Sequence, residues 1–210
     1  MPGAHATMGP MSLLPAALAV AAGYLLGSVP VAVLVGRAAG FDPRTVGDRN
    51  PGAWNVKAQL GWRGALPVFV LDTLKGALAG LLGVAVGGVW AGYAAVAAAM
   101  LGHAWPVFAG FRGGRSILAF AGGLAALSPL TFLMGSALLA VVALAARSFA
   151  LGARAAFFAA PLLQLLVDPA IRVAATGALM SLVGLRFLLA YVAGRRSGPA
   201  RSAPGAGPRA

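Results

Sequence analysis

The chain has 210 residues, 60% of them hydrophobic and only 10% charged, with a formal net charge of +12 and no cysteine. Apolar runs of about 18 or more residues are candidate spanning helices, and several such runs leave no room for a separate soluble domain. The missing cysteine excludes disulfides and thiolate chemistry, and basic residues scattered through loops and a tail exclude nucleic acid as the main partner, since no compact basic fold presents them.

The expected fold is all-α: a polytopic integral membrane protein with about seven transmembrane helices. Residues 1–11 read as a short disordered N-terminus, 12–194 as one membrane-embedded domain, and 195–210 as a basic disordered tail. The first helix is expected over 12–37, weakened in its second half by Gly27, Ser28 and Pro30. It lacks a positively charged start and is read as a retained helix, not a cleaved signal. A polar loop extends to Arg63. Helices follow over 65–86 and 89–103, then a polar break, GFRGGRS, at 110–116. Two more span 117–127 and 129–146, the former short for a full crossing. A break at 147–154 precedes a sixth helix ending at 167 and a seventh over 170–193.

Arg37, Arg44, Arg49, Lys57, Arg63, Arg112, Arg115, Arg147, Arg154, Arg195, Arg196, Arg201 and Arg209 make up most of the sixteen basic residues. With seven helices and the N-terminus outside, all of these fall on the cytoplasmic side, as the positive-inside bias expects. Arg172, beside Asp168, falls outside. Five spans, with 117–127 and one neighbour re-entrant, is the alternative.

The stretch FDPRTVGDRNPGAWNV, residues 41–56, alternates Gly47, Asn50, Gly52 and Asn55 as G-x-x-N-x-G-x-x-N. Glycines let successive backbone N–H groups converge into an anion-binding nest. Asparagine adds neutral donors, and Arg44 and Arg49 add charge-assisted ones. The reading is a phosphate-holding loop at a membrane surface; an ordinary polar turn is the alternative. Asp72 and Lys75, three apart, share a helix face. They form a structural ion pair, or Lys75 reaches back toward the loop. Arg112 and Arg115 flank Gly113 and Gly114 as a second anion site or as headgroup anchors. His103 is an acid, base or hydrogen-bond donor, or a structural histidine. Ser28 reads most simply as a helix-bonded hydroxyl.

Common enzyme patterns are absent: there is no H-x-x-x-x-D, H-E-x-x-H or G-x-x-x-x-G-K-[ST]. With four acids, two histidines and no cysteine, no metal centre is expected.

Three stretches in order, GSVPVAVLVGRAAGFDPRTVGDRNPGAWNV, GWRGALPVFVLDTLKG and LGHAWPVFAGFRGGR, resemble the bacterial acyl-phosphate:glycerol-3-phosphate acyltransferases of the PlsY type. The resemblance is close over residues 23–115 and rests on helix count beyond them. It implies a seven-span enzyme of the bacterial inner membrane whose site opens to the cytoplasm. Such an enzyme moves a fatty acyl group from acyl phosphate to the 1-hydroxyl of glycerol 3-phosphate, without a cofactor, giving lysophosphatidic acid and phosphate. The family's first-motif serine and arginine map to Ser28 and Arg37, which with His103 are the expected catalytic residues, and its glycine-rich substrate loop maps to Gly47, Asn50, Gly52 and Asn55. Its FKGGKG maps to residues 111–116, with Arg112 and Arg115 in place of lysine. Two phosphate-bearing reactants repel, so such a site needs surplus positive charge and backbone donors. His103 or a substrate phosphate oxygen is the base expected for the attacking hydroxyl.

The chain also departs from the pattern. The family's GSGN is GDRN, placing Asp48 in the loop with Arg49 beside it to neutralise it. ATN becomes AWN at Trp54. Paired serines after the fifth helix become Phe149 and Ala150, and a C-terminal H-x-x-N becomes Phe187 and Ala190, after a retained Arg186. Loss of one group aligned with transition-state charge costs ~10²–10³ in rate. A catalytically impaired relative that binds glycerol phosphate or anionic lipid is therefore the alternative. An anion transporter is a third reading, opposed by the absence of a charged path across the helices.

Overall fold

The computed structural model describes residues 13–196. The expected disordered N-terminus, 1–11, lies outside the described residues, as does the tail beyond residue 196. Among the described residues the secondary structure is entirely helical: α1 (Leu13–Ser28), α2 (Val31–Ala38), α3 (Ala53–Ala104), a 3-10 turn (Val107–Ala109), α4 (Ile117–Leu127), α5 (Pro129–Ala145), α6 (Phe149–Gln164) and α7 (Ala170–Arg196).

The first expected helix is divided in two. Pro30 caps α2 and has no N–H to continue the α1 ladder, so the chain breaks between Ser28 and Val31. The long run α3 is also divided, at Gly61 (φ 69°, ψ −171°) and Gly88 (φ 76°, ψ −172°). That region is almost closed to residues with a Cβ. At Gly88 the run doubles back, because Gly80 faces Val96 and Gly83 faces Ala91. The expected pair over 65–86 and 89–103 is thus an antiparallel hairpin. The polar loop does not extend to Arg63 as expected, since residues 53–60 are helical. Ala53 and Val56, three apart, pack with Val31, Ala32 and Val68, and this burial outweighs the polar sequence around them. Helix α6 ends at Gln164, short of the expected 167, and α7 continues past 193 to Arg196.

Three stretches are long and apolar enough to cross a membrane: Leu14–Ala38, Ala53–Ala109 and Ala170–Ala193. α4, α5 and α6 are apolar but shorter; at 1.5 Å per residue, α4 reaches only about 16 Å of a hydrocarbon core about 30 Å thick. Leu18, Leu66, Leu133, Leu144 and Leu162 stand exposed on the outer surface, the arrangement lipid contact favours. The inner seam is built from small residues. A Cβ added at Gly76 or Gly122 would collide with the backbone carbonyl of Ala119 or Thr73, so α3 and α4 meet backbone to backbone. Tyr93, Val96 and Met100 of α3 pack with Phe120 and Leu124 of α4 and with Leu179 and Val183 of α7.

A buried polar lock fastens one end of the bundle. Asp168 accepts from Ser128, Arg172 and, at 3.1 Å, Gln164, while Arg172 also donates to the Leu127 carbonyl. Gln164 donates to the Tyr93 hydroxyl at 3.2 Å. Arg172 thus fastens the α4–α5 turn to α7.

Candidate active site

Three segments converge away from that lock: the 39–52 loop, the 105–116 segment and the C-terminal half of α7. Arg44 makes the first link. Its guanidinium grips Asp42, with Nη2 at 2.6 Å from Oδ2, and Nη1 donates to the Ala109 carbonyl at 3.0 Å. The Arg44 hydrogen bond draws the Asp42 carboxyl down to about 2, against a partial opposing effect of burial. Arg186 makes the second link. Its Nε donates to the Gly114 carbonyl at 3.1 Å and Nη2 to the Gly113 carbonyl at 3.0 Å, and its guanidinium lies 4.8 Å from the Trp105 ring centroid. The third is an ion pair of 3.2 Å between Arg115 and Asp48.

Between these segments lies a cavity of about 420 Å³, lined by Arg44, Arg49, Pro51, Phe111, Arg112, Gly113, Arg186, Leu189, Ala190 and Ala193. Four of the lining residues are arginines, and α7 contributes Arg186 together with the apolar Leu189, Ala190 and Ala193. Arg112, Pro51 and Gly113 also line a narrow inner cavity of about 10 Å³ with Asp72, Lys75 and His103, room for about one water. Lys75 is 2.8 Å from Asp72 and donates at 3.4 Å to the Val29 carbonyl in the α1–α2 break, which also accepts the Val31 N–H. His103 Nδ1 stands 3.7 Å from Asp72. The ion-pair reading of Lys75 therefore holds, and its place on the inner cavity is the further observation.

The glycine–asparagine pattern serves another purpose than a nest. Asn55 is buried, and its amide donates to the carbonyls of Pro43, Val46 and Asn50 at 2.8, 3.0 and 3.2 Å. Its donors brace the loop from inside and do not face the cavity. Gly47, at φ 58°, turns the chain where a Cβ would strike the side-chain Oδ1 of Asn55. Gly52 is extended and donates to the Asn50 carbonyl at 2.8 Å. Neither glycine lines either of these two cavities; Asn50 keeps its side-chain amide without a partner among the described residues. The backbone donors of Gly113 and Gly114 go to the carbonyls of Ala104 and His103, so this Gly-Gly pair is no anion nest either.

Ser28 is fully buried and accepts the Val107 N–H at 3.4 Å, so the helix-bonded reading of its hydroxyl does not hold. Arg37 is exposed at the end of α2, outside both cavities, and its charge reaches Asp42. Arg49 does not neutralise Asp48; Arg115 does, and Arg49 turns to the cavity. Arg186 was not among the expected site residues. The signal for it was present, since an arginine in the interior of an apolar helix needs a polar partner or cavity.

A family model described as "Glycerol-3-phosphate acyltransferase" matches residues 17–193. The chain belongs to the glycerol-3-phosphate acyltransferase family. A family member from Rubrobacter xylanophilus is 45% identical over 150 residues, 71% of this chain and 75% of that protein. One from Escherichia fergusonii is 45% identical over 93 residues, 43% of this chain and 45% of that protein, so the chain aligns with about half of some relatives. Among solved structures, the crystal structure of PlsY, an integral membrane glycerol 3-phosphate acyltransferase in its glycerol 3-phosphate form, superimposes with a TM-score of 0.75 at 31% identity, covering 86% of this chain and 93% of that one. Its lysophosphatidic acid form gives 0.71 at 28% identity, with the same coverage.

Proposed function

We propose that this chain transfers a fatty acyl group from acyl phosphate to the 1-hydroxyl of glycerol 3-phosphate at the arginine-lined cavity. The observation that carries the reading is the convergence of Arg44, Arg49, Arg112 and Arg186 on one space of about 420 Å³. Two phosphate groups brought close repel strongly, and fixed guanidinium groups offset that repulsion while forking onto phosphoryl oxygens. The hydroxyl oxygen attacks the acyl carbon, the anhydride C–O bond breaks and phosphate departs with the bonding pair. The hydroxyl proton passes to a phosphate oxygen or, through the inner cavity, to His103. Acyl phosphate is already activated, so no covalent enzyme intermediate is needed. Asn50 offers its unpartnered amide to glycerol phosphate, and Arg37 supplies charge from the rim. Lys75 and His103 hold the inner wall.

The membrane placement proposed with this chemistry has seven spans, an outer N-terminus and the arginine cavity on the cytoplasmic side. The distribution of loop arginines supports it. Because the chain has no cysteine, single cysteines at Thr45 and at Ala170 would report sidedness to an impermeant thiol reagent. The orientation fails if Thr45→Cys labels from outside.

The deciding experiment supplies purified protein with acyl phosphate and labelled glycerol 3-phosphate and follows lysophosphatidic acid. Turnover is expected. Retained glycerol 3-phosphate binding with no product would sink the proposed reaction and leave a binding protein in its place.

A further inference from the structure

The departures from the resembled pattern touch one another. Arg115 stands where the pattern has lysine, Asp48 where it has serine and Phe187 where it has histidine. Arg115 Nη1 pairs with Asp48 Oδ2 at 3.2 Å, and the same guanidinium lies 4.7 Å from the Phe187 ring centroid. We propose that Asp48, Arg115 and Phe187 form a clasp that holds the 39–52 loop against the 110–116 turn and α7, and that Arg115 is a positioning residue with no substrate contact.

Geometry supports the assignment. Arg112 lines both cavities, whereas Arg115 and Phe187 line neither. The other Asp48 oxygen accepts the Asn50 N–H at 3.1 Å, so the clasp ends on the loop's own turn. Withdrawing Arg115 to bind a phosphate would leave the Asp48 carboxylate unneutralised beside an incoming dianion, and unlike the paired Arg44, Arg115 does not line the large cavity. A planar guanidinium can lie on a ring while forking toward a carboxylate, and a lysine ammonium lacks that shape. Phe187 adjoins Arg186, so consecutive residues of α7 hold the carbonyls of Gly113 and Gly114 and the side chain of Arg115.

The test has two arms. In the first, spin labels are placed at Thr45→Cys and Leu188→Cys of the full chain, both exposed positions. The distance distribution is expected to be narrow, to broaden with Arg115→Ala or Phe187→Ala, and to narrow part of the way when Asp48→Arg is combined with Arg115→Asp, which restores the ion pair but not the ring contact. An unchanged distribution in Arg115→Ala overturns the clasp. The second arm rests on the acyl transfer proposed above. Arg115→Asp alone should raise the KM for glycerol 3-phosphate roughly fivefold with kcat nearly kept, the scale of one partly exposed pair plus one ring contact. The reversed pair should return the KM to within about twofold. If the reversed pair stays as poor as Arg115→Asp, Arg115 binds substrate directly and the clasp is wrong. A parent chain without turnover would sink the proposed reaction, while the distance arm would still decide the clasp.

Discussion

The indole of Trp54 lies flat against the ring of Phe149, with 5.7 Å between centroids and 16° between planes. Trp54 opens the long run α3, and Phe149 opens α6. Trp62 and Phe69 close the cluster edge-on to Phe149, and Lys57 places its ammonium 4.3 Å from the centroids of both indoles. Two departures that look unrelated in sequence are therefore one packing unit.

That unit should be measurable as stability. Trp54→Ala removes a stacked pair worth about 0.5–1.5 kcal/mol beyond its area and a cation–π contact worth about 0.5–1 kcal/mol. A loss of about 1–2 kcal/mol is expected in reversible unfolding of the detergent-solubilised protein. Phe149→Ser should cost a similar amount. Unchanged unfolding in both variants would show that the rings meet without consequence.

Arg186 should be intolerant of both loss and charge-conserving exchange. Hydrogen bonds to charged groups are worth about 1.5–3 kcal/mol each, so Arg186→Ala, losing two, should lower kcat/KM by about 10²–10⁴. Arg186→Lys keeps the charge but cannot make the forked pair and should recover only a small part. Full recovery by lysine would reduce the role of Arg186 to simple charge.

The two asparagines of the loop should separate cleanly. Asn55→Ala leaves the carbonyls of Pro43, Val46 and Asn50 without their shared donor and should destabilise the protein by about 1–3 kcal/mol. Asn50→Ala should leave unfolding nearly unchanged and weaken glycerol 3-phosphate binding, read by titration calorimetry. Equal effects of the two variants on both readouts would contradict this division.

The Asp42–Arg44 pair gives an acid-side prediction. The Asp42 carboxyl titrates at about 2 in the folded chain against an ordinary 3.8. A lowered carboxyl contributes stability that is complete above its unfolded value and is lost as pH falls through the folded one. Between pH 3.8 and about 2 the parent should therefore lose stability that Asp42→Asn, already lacking it, does not lose. Parallel pH profiles across that interval would remove the pair from the stability of the loop.

Much of the architecture was legible because its causes are local. Pro30 breaks a ladder wherever it falls, and Gly88 adopts a backbone closed to other residues. Apolar length gave most of the helices. The early start at Ala53 was not legible, because Ala53 and Val56 are held by Val31 and Ala32, partners defined only after folding. The same reason hid the division of labour among the site residues. Asn55 and Gly47 look like phosphate ligands in a linear pattern, yet the Asn55 amide is turned to the loop's own backbone and Gly47 leaves room for the Asn55 side chain. Arg115 and Arg112 look equivalent across Gly113 and Gly114, and only the place of Asp48 separates them.

Every cationic group lining the large cavity is a guanidinium, and this bears on chemical durability. A mixed anhydride such as the proposed donor acylates bare amines without any catalyst, while guanidinium, protonated at all working pH values, is a poor nucleophile. The chain holds two lysines: the Lys75 amine is bound to Asp72 in the interior, and the Lys57 amine is sheltered between two indoles. The vessel for a reactive donor is thus walled with groups the donor does not label, so repeated turnover leaves its own lining unmodified.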